Sequence, residues 1–106
     1  MEGACRGARA QGGMTVGILP GEERDAANPH VTVAIPTALG EARNALVVRS
    51  ADVVIAIGGG YGTLSEIALA LRRKTRVIGL DTWDVEGIEP AAGADEAVRA
   101  ALDPLT

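Results

Sequence analysis

The most constraining feature of this sequence is the stretch IAIGGGYGTLSE at residues 55–66, where an apolar run stops at three consecutive glycines. The run DVVIAI at 52–57 is rich in β-branched residues, which is typical of a strand covered on both faces. Beyond the glycines, apolar residues recur at helical spacing from Thr63 to Arg73. A strand, a glycine turn and a helix in this order predict one unit of a parallel α/β sheet.

Strands and helices alternate along the rest of the 106 residues. The other predicted strands are short runs of Val, Ile and Leu at 14–19, 31–35 and 76–80. The other predicted helices cover 1–11, 38–50 and 94–102, and polar loops cover 22–30 and the segment that holds Trp83 and Pro90. This alternation predicts one α/β domain over residues 1–106, with three layers and a mostly parallel sheet.

Composition narrows the possible partners. Apolar residues make up 47% of the chain, but with no Phe, one Tyr and one Trp the core must be aliphatic. The net charge of −4 argues against binding to nucleic acid or an anionic membrane. A single Cys5 excludes an internal disulfide and a metal site built from several cysteines. No apolar run reaches the roughly 20 residues that span a bilayer, so we expect a cytoplasmic protein. We also expect no bound metal.

The glycine turn predicts an anion site. Glycines permit positive φ and let backbone N–H groups face a common point, and the helix start adds about half a positive charge. The expected ligand-binding residues are Gly58, Gly59, Gly60, Tyr61, Gly62 and Thr63. A tight turn without a ligand and a dinucleotide fingerprint ending at Asp81 are the alternatives. The absence of a following Lys excludes a Walker A loop.

Two charged residues near the turn each have two interpretations. Glu66 stands three residues after Thr63, as in a capping box, but a carboxylate beside an anion site could also act in acid–base catalysis. Arg43 borders the apolar stripe of the predicted helix 38–50. It fits a snorkelling side chain or a guanidinium fork that binds phosphate or carboxylate.

The string GEARNALVVRSADVVIAIGGGYGTLSEIALAL at 40–71 resembles the Rossmann-like superfamily often called "possible lysine decarboxylase". That superfamily includes the molybdenum-cofactor carrier proteins and, more distantly, the LONELY GUY cytokinin-activating phosphoribohydrolases. The hydrolases share Arg-Lys on one helix and Pro-Gly-Gly-x-Gly-Thr-x-x-Glu after a strand. Arg43 takes the Arg position, and the second element is matched by Gly59, Gly60, Gly62, Thr63 and Glu66. The similarity extends over essentially the whole chain.

In the hydrolases, the resemblance implies, the glycine turn holds a nucleotide 5′-phosphate while Arg43 and Glu66 act at the ribose–base bond. Here Asn44 replaces the family's Lys, and Gly58 replaces its Pro. The Asn is typical of the carrier-like branch, which implies ligand binding without catalysis, Asn44 as a binding residue and molybdenum cofactor as cargo. Hydrolysis of nucleoside 5′-monophosphates and an inactive truncated fragment are the alternatives. A pyridoxal lysine decarboxylase is excluded, because its Schiff base requires a suitably placed Lys and Lys74 sits at a helix end among charges.

The resemblance also predicts a gap in the sheet. Family members begin with a strand, a helix, a second strand and a Gly-Gly-x-x-Gly turn before the segment that Met1 matches. Without them, the strands 52–57 and 76–80 should form one half and 14–18 another, with an exposed edge. We hypothesise a truncated product or an upstream start, which an endogenous mass near 10.8 kDa would refute. Association as a homodimer or higher oligomer is expected.

Overall fold

The computed structural model describes residues 1–103, and its elements are helices and parallel strands. The helices are α1 (Glu2–Ala10), α2 (Arg43–Arg49), α3 (Tyr61–Arg72) and α4 (Ala94–Leu102), with 3₁₀ turns at Arg24–Ala26 and Gly40–Ala42. The strands are β1 (Val16–Leu19), β2 (Val33–Pro36), β3 (Val53–Ile57), β4 (Arg76–Leu80) and β5 (Glu89–Ala91). The chain divides into two compact units, Met1–Arg43 and the part from Asn44 onward. That residues 1–106 act as one domain remains a prediction.

The first unit contains α1 and a parallel pair of strands, β1 and β2, with Val16 opposite Val33. Thr15 fixes the start of this pair, because its hydroxyl donates to the His30 carbonyl at 2.5 Å and accepts the Thr32 N–H at 2.8 Å. Apolar side chains of both strands stay exposed, including Val16 and Val33, and α1 buries no residue. A two-stranded sheet with so little burial is a weakly stabilised element.

The second unit is a three-layer arrangement around the parallel sheet β3-β4-β5. In β4 the consecutive residues Val77 and Ile78 are 0% and 1% exposed, so helices cover both faces of this central strand. Helix α3 packs on the face of Val77, through Ile67 and Ala70. Helix α4, with Ala97 buried, also packs on the sheet. The buried core is aliphatic, as the composition predicted.

Gly79 of β4 lies where the core is tightest. A Cβ added at this position would lie 2.7 Å from Cγ2 of Ile88 and 2.9 Å from Cγ2 of Thr82. Real Cβ atoms essentially never come that close, and both neighbours are methyl groups on stiff β-branched side chains. Glycine is therefore required here by packing rather than by backbone conformation.

An ion pair lies at the amino-terminal edge of the three-stranded sheet. Arg76, the first residue of β4, donates from Nε and Nη2 to both carboxylate oxygens of Glu89, each at 2.8 Å. The same guanidinium donates to the carbonyl oxygens of Ala100 and Asp103 at the end of α4. The hydrogen bond lowers the pKa of Glu89 and raises the pKa of Arg76. This side chain thus connects β4, β5 and the last turn of α4.

The predicted strand 76–80 and helix 94–102 are confirmed at both ends. The separation of the sheet into halves is also confirmed, since β1 pairs with β2 whereas β3 and β4 belong to a different sheet. The strand predicted at 52–57 is β3, which helices α3 and α4 both contact; Ala56 is buried and Val53, Val54 and Ile55 are half-buried.

Several elements differ from the predictions; the strands predicted at 14–19 and 31–35, for example, are Val16–Leu19 and Val33–Pro36. The predicted loop after residue 80 contains β5, with Pro90 inside it. The predicted helix 38–50 begins as a 3₁₀ turn and is α-helical only from Arg43. Helix α3 begins at Tyr61, with Gly60 as its N-cap, two residues before the predicted start at Thr63. No helix within residues 1–103 is long and apolar enough to cross a membrane.

Candidate functional site

The candidate site lies at the carboxyl-terminal edge of the three-stranded sheet. The strand ends are aligned there, with Ile57 opposite Leu80 and Leu80 opposite Ala91. The segments that leave the sheet at this edge are 58–60, 81–83 and 92–93. Ligands of parallel α/β sheets gather at this edge, so the glycine turn lies where the sequence predicted it.

Only one glycine of the GGG run is demanded by the backbone. Gly58 has a φ of +84°, which glycine adopts without strain. Gly60 has an ordinary extended conformation, with φ −71° and ψ 157°. A Cβ added at Gly59 or Gly60 would meet no heavy atom of the described residues within 4 Å. The chain's own packing therefore does not require glycine at these two positions, where the backbone is left bare to solvent.

Three alternate carbonyl oxygens of the turn are held by side-chain donors. These oxygens belong to Gly58, Gly60 and Gly62. Their donors are Thr82 Oγ1 at 2.5 Å, Trp83 Nε1 at 3.0 Å and Ser65 Oγ at 2.8 Å, respectively. Sequence reasoning gave no role to these three donors. Thr82 and Trp83 could have been found because they directly follow β4 at the same edge, and Ser65 because it stands three residues after Gly62 on a helix.

Holding a carbonyl oxygen also fixes the N–H of the next residue. The two groups share one planar trans peptide and point in opposite directions. The N–H groups fixed in this way are those of Gly59, Tyr61 and Thr63. Within residues 1–103, no acceptor receives the backbone N–H of any residue from Gly59 to Thr63. The turn thus offers a row of backbone donors in defined orientations.

The two helix starts in this unit differ in charge. Helix α4 begins after Gly93 with Asp95 and Glu96 in its first turn, and Glu96 Oε2 accepts the Ala92 N–H at 2.6 Å. Helix α3 begins after Gly60, which has no side chain to cap it, and its first turn has no acidic residue. Since a helix start carries positive partial charge, the carboxylates of α4 complement its own start, whereas the first turn of α3 has no acidic residue to do so.

Asn44 supports the turn from α2. It is 7% exposed, and its Nδ2 donates to Ser65 Oγ at 2.9 Å, while the Ser65 hydroxyl donates to the Gly62 carbonyl. This chain of hydrogen bonds fixes the first turn of α3 to α2. Contact between Asn44 and a ligand remains a prediction.

Both aromatic side chains of the protein lie at the turn. The Tyr61 and Trp83 rings stack with their centroids 5.8 Å apart and an interplanar angle of 29°. Tyr61 is 81% exposed, whereas Trp83 is partly buried against the core. The turn therefore has an aromatic surface beside its backbone donors.

The capping-box interpretation of Glu66 is wrong. Thr63 is the third residue of α3 rather than its N-cap, so the pair cannot form that motif. Glu66 lies in the second turn of α3, and its catalytic role remains a prediction. Arg43 is half-buried in the first unit, where its Nη1 donates to the Ile18 carbonyl at 2.9 Å. Its binding to phosphate likewise remains a prediction. No group of three or more potential metal ligands occurs in residues 1–103.

The chain is similar to proteins of known sequence and of known structure. An uncharacterized protein of Archaeoglobus fulgidus is 43% identical over 100 residues, which are 93% of this chain and 66% of that protein. The structure of the molybdenum cofactor binding protein from the phototrophic bacterium Rippkaea orientalis matches with a TM-score of 0.90 and 38% identity, over 100% of this chain and 71% of that one. The molybdenum cofactor carrier protein of Chlamydomonas reinhardtii matches with a TM-score of 0.79 and 36% identity. The match covers 92% of this chain and 65% of the carrier protein.

These matches confirm the Rossmann-like α/β fold and the resemblance to the carrier-like branch. This chain spans about two thirds of the length of the proteins it matches. A family model, that of the SLOG cluster4 family, matches residues 1–103, which is the whole described part of the chain. The protein therefore belongs to the SLOG cluster4 family, and its structural neighbours include molybdenum cofactor carrier proteins.

Proposed function

We propose that this protein binds a small phosphate-bearing ligand on the turn Gly58–Thr63 and acts as a carrier of molybdenum cofactor. The observation that carries the proposal is the row of N–H groups from Gly59 to Thr63, which have no acceptor in the described chain and lie at a helix start without acidic residues in its first turn. Phosphate oxygens are suitable acceptors for such donors. The molybdenum cofactor carrier proteins among the structural neighbours indicate which phosphate ester to test first.

Asn44 favours a carrier over a hydrolase. A Lys at this position would bring a positive charge to the site, whereas Asn44 is neutral and its amide is engaged with Ser65. Cleavage of an N-glycosidic bond builds positive charge on the sugar and negative charge on the departing base, and a lysine could stabilise only the latter, which neutral Asn44 cannot do. Without the lysine, ligand retention needs only the backbone donors and the helix start, and catalysis loses one of its expected groups.

The test is titration calorimetry with three probes and a parallel assay for free base. The probes are molybdenum cofactor released anaerobically from a molybdoenzyme, guanosine 5′-monophosphate and inorganic phosphate. A carrier should bind the cofactor saturably and release no base from nucleoside 5′-monophosphates. Base release that disappears in Glu66→Gln would replace the carrier with the phosphoribohydrolase. Failure of every probe to bind or to raise the melting temperature would indicate an inactive fragment.

A homodimer or higher oligomer in the cytoplasm belongs to the same proposal. Within the described residues β3 pairs with β4 alone, and a strand edge with open N–H and C=O groups promotes association. Light scattering coupled to size-exclusion chromatography should give at least twice the chain mass of 10.8 kDa. A monomer at micromolar concentration would contradict this part of the proposal.

A further inference from the structure

We propose that Tyr61 and Trp83 form a stacking platform for a planar bicyclic ring, a purine or a pterin, whose phosphate lies on the glycine turn. The inference rests on the proposed function, because it requires the anionic end of the ligand to bind at that turn. It adds the part of the site that recognises the ring.

The distribution of aromatic residues is the first argument. The chain has one Tyr, one Trp and no Phe, and the two rings stack on each other at the candidate site. An aromatic side chain stabilises a fold mainly when it is buried, yet Tyr61 is 81% exposed. The protein thus places its one tyrosine where it contributes little to the core and where a ligand can reach its ring.

Rigidity is the second argument. Trp83 packs partly against the core, and its Nε1 donates to the Gly60 carbonyl at 3.0 Å, so the indole has a fixed position. Tyr61 is the first residue of α3 and rests on that indole. Aromatic side chains with few rotatable bonds lose little entropy when they bind a ligand. The pair is therefore suited to receive another flat ring on the tyrosine.

The third argument is the distance between the ring and the donors. The exposed ring of Tyr61 and its backbone N–H, which has no acceptor among the described residues, belong to the same residue. A ligand that contacts both must carry a flat ring and an anionic group separated by a short linker. Nucleoside monophosphates and pterin phosphates have this arrangement, and every such ring offers a π-face for stacking.

The experiment compares ligands with and without a ring. Calorimetric Kd values are measured for guanosine 5′-monophosphate, neopterin monophosphate and ribose 5-phosphate, with the unchanged protein, Tyr61→Ala and Tyr61→Phe. Stacking on an aromatic side chain is worth about 1–3 kcal/mol, so a ring should tighten Kd about 5- to 150-fold over ribose 5-phosphate. The advantage should be kept in Tyr61→Phe, which retains the ring, and lost in Tyr61→Ala. Trp83, the only tryptophan, should change its fluorescence with the ring-bearing probes alone.

The outcomes separate this inference from the proposed function. If ribose 5-phosphate binds as tightly as the ring-bearing probes, or if Tyr61→Ala keeps the ring advantage, the platform is refuted while the anion site stands. If none of the three probes binds the unchanged protein, the anion site fails and the platform fails with it. The preferred ring, purine or pterin, is given by the smaller of the two Kd values. Because Tyr61 is exposed, far-ultraviolet circular dichroism should show that Tyr61→Ala remains folded.

Discussion

Replacement of Gly60 by Asp should stabilise the protein and strongly weaken anion binding. Gly60 is the N-cap of α3, its extended φ and ψ suit Asp, and an added Cβ meets no described heavy atom within 4 Å. The new carboxylate can accept the N–H of Gly62 or Thr63, neither of which has an acceptor in residues 1–103. The cap and the helix dipole together should contribute about 1 kcal/mol to the free energy of unfolding, which corresponds to about 4 °C in melting temperature.

The same carboxylate should exclude the ligand. It occupies the donors that the phosphate would use and places a negative charge next to it. At 4 Å, like charges repel by about 4 kcal/mol near a protein surface, so Kd should rise more than about 100-fold at low salt. Thermal unfolding and calorimetry on the same sample measure both effects. The distinguishing result is that one substitution raises the melting temperature and lowers the affinity for the ligand.

Two variants serve as controls. Gly60→Asn gives a comparable cap without the charge, so it should stabilise α3 and weaken binding less than Gly60→Asp. Gly93→Asp adds the same charge at the N-cap of α4, two strands away at the same edge, where a Cβ also meets open space; it should weaken binding much less than Gly60→Asp. Binding by Gly60→Asp that equals binding by the unchanged protein would refute the anion site. A lower melting temperature of that variant would refute the argument about the helix start.

Three further predictions concern stability. Gly79→Ala should lower the free energy of unfolding in urea by about 1–3 kcal/mol, because its Cβ would clash with two methyl groups, whereas Gly59→Ala should be tolerated; equal midpoints would contradict this. Lys74 has a φ of +63° at the end of α3, so Lys74→Gly should raise the melting temperature through a gain of about 0.5–1 kcal/mol, and a decrease would count against the αL assignment. The pKa of Glu89 is lowered by its hydrogen bond to Arg76, so its stabilising contribution is present above the ordinary value of 4.5 and is lost as the pH falls through the lowered pKa. Glu89→Gln should therefore melt below the unchanged protein at pH 7, and the difference should shrink on acidification; a difference independent of pH would contradict the ion pair.

The sequence by itself determined the elements whose apolar residues have a clear spacing and clear end signals. The strand 76–80 and the helix at about 94–102 were predicted correctly: the strand is an apolar run that follows Arg76 and stops at Asp81, and the helix follows Gly93 and precedes Asp103-Pro104. The aliphatic core followed from the lack of Phe, and the location of the glycine turn followed from the order of strand and helix. The strand around Pro90 could not be predicted, because proline normally argues against a strand. It is tolerated in β5 because that strand lies at the edge of the sheet and, among residues 1–103, pairs with β4 alone.

The hydrogen bonds that hold the glycine turn were decided by tertiary structure. Trp83 and Gly60 are 23 residues apart, and Thr82 and Gly58 are 24 apart, so their hydrogen bonds exist only because the register of β3 and β4 aligns the two strand ends. These long-range contacts also explain why α3 begins at Tyr61: they hold a first turn that local propensity assigned to the loop. A sequence pattern reports what each segment prefers locally, whereas the direction of a carbonyl or the partner of an indole depends on which segments the sheet brings together.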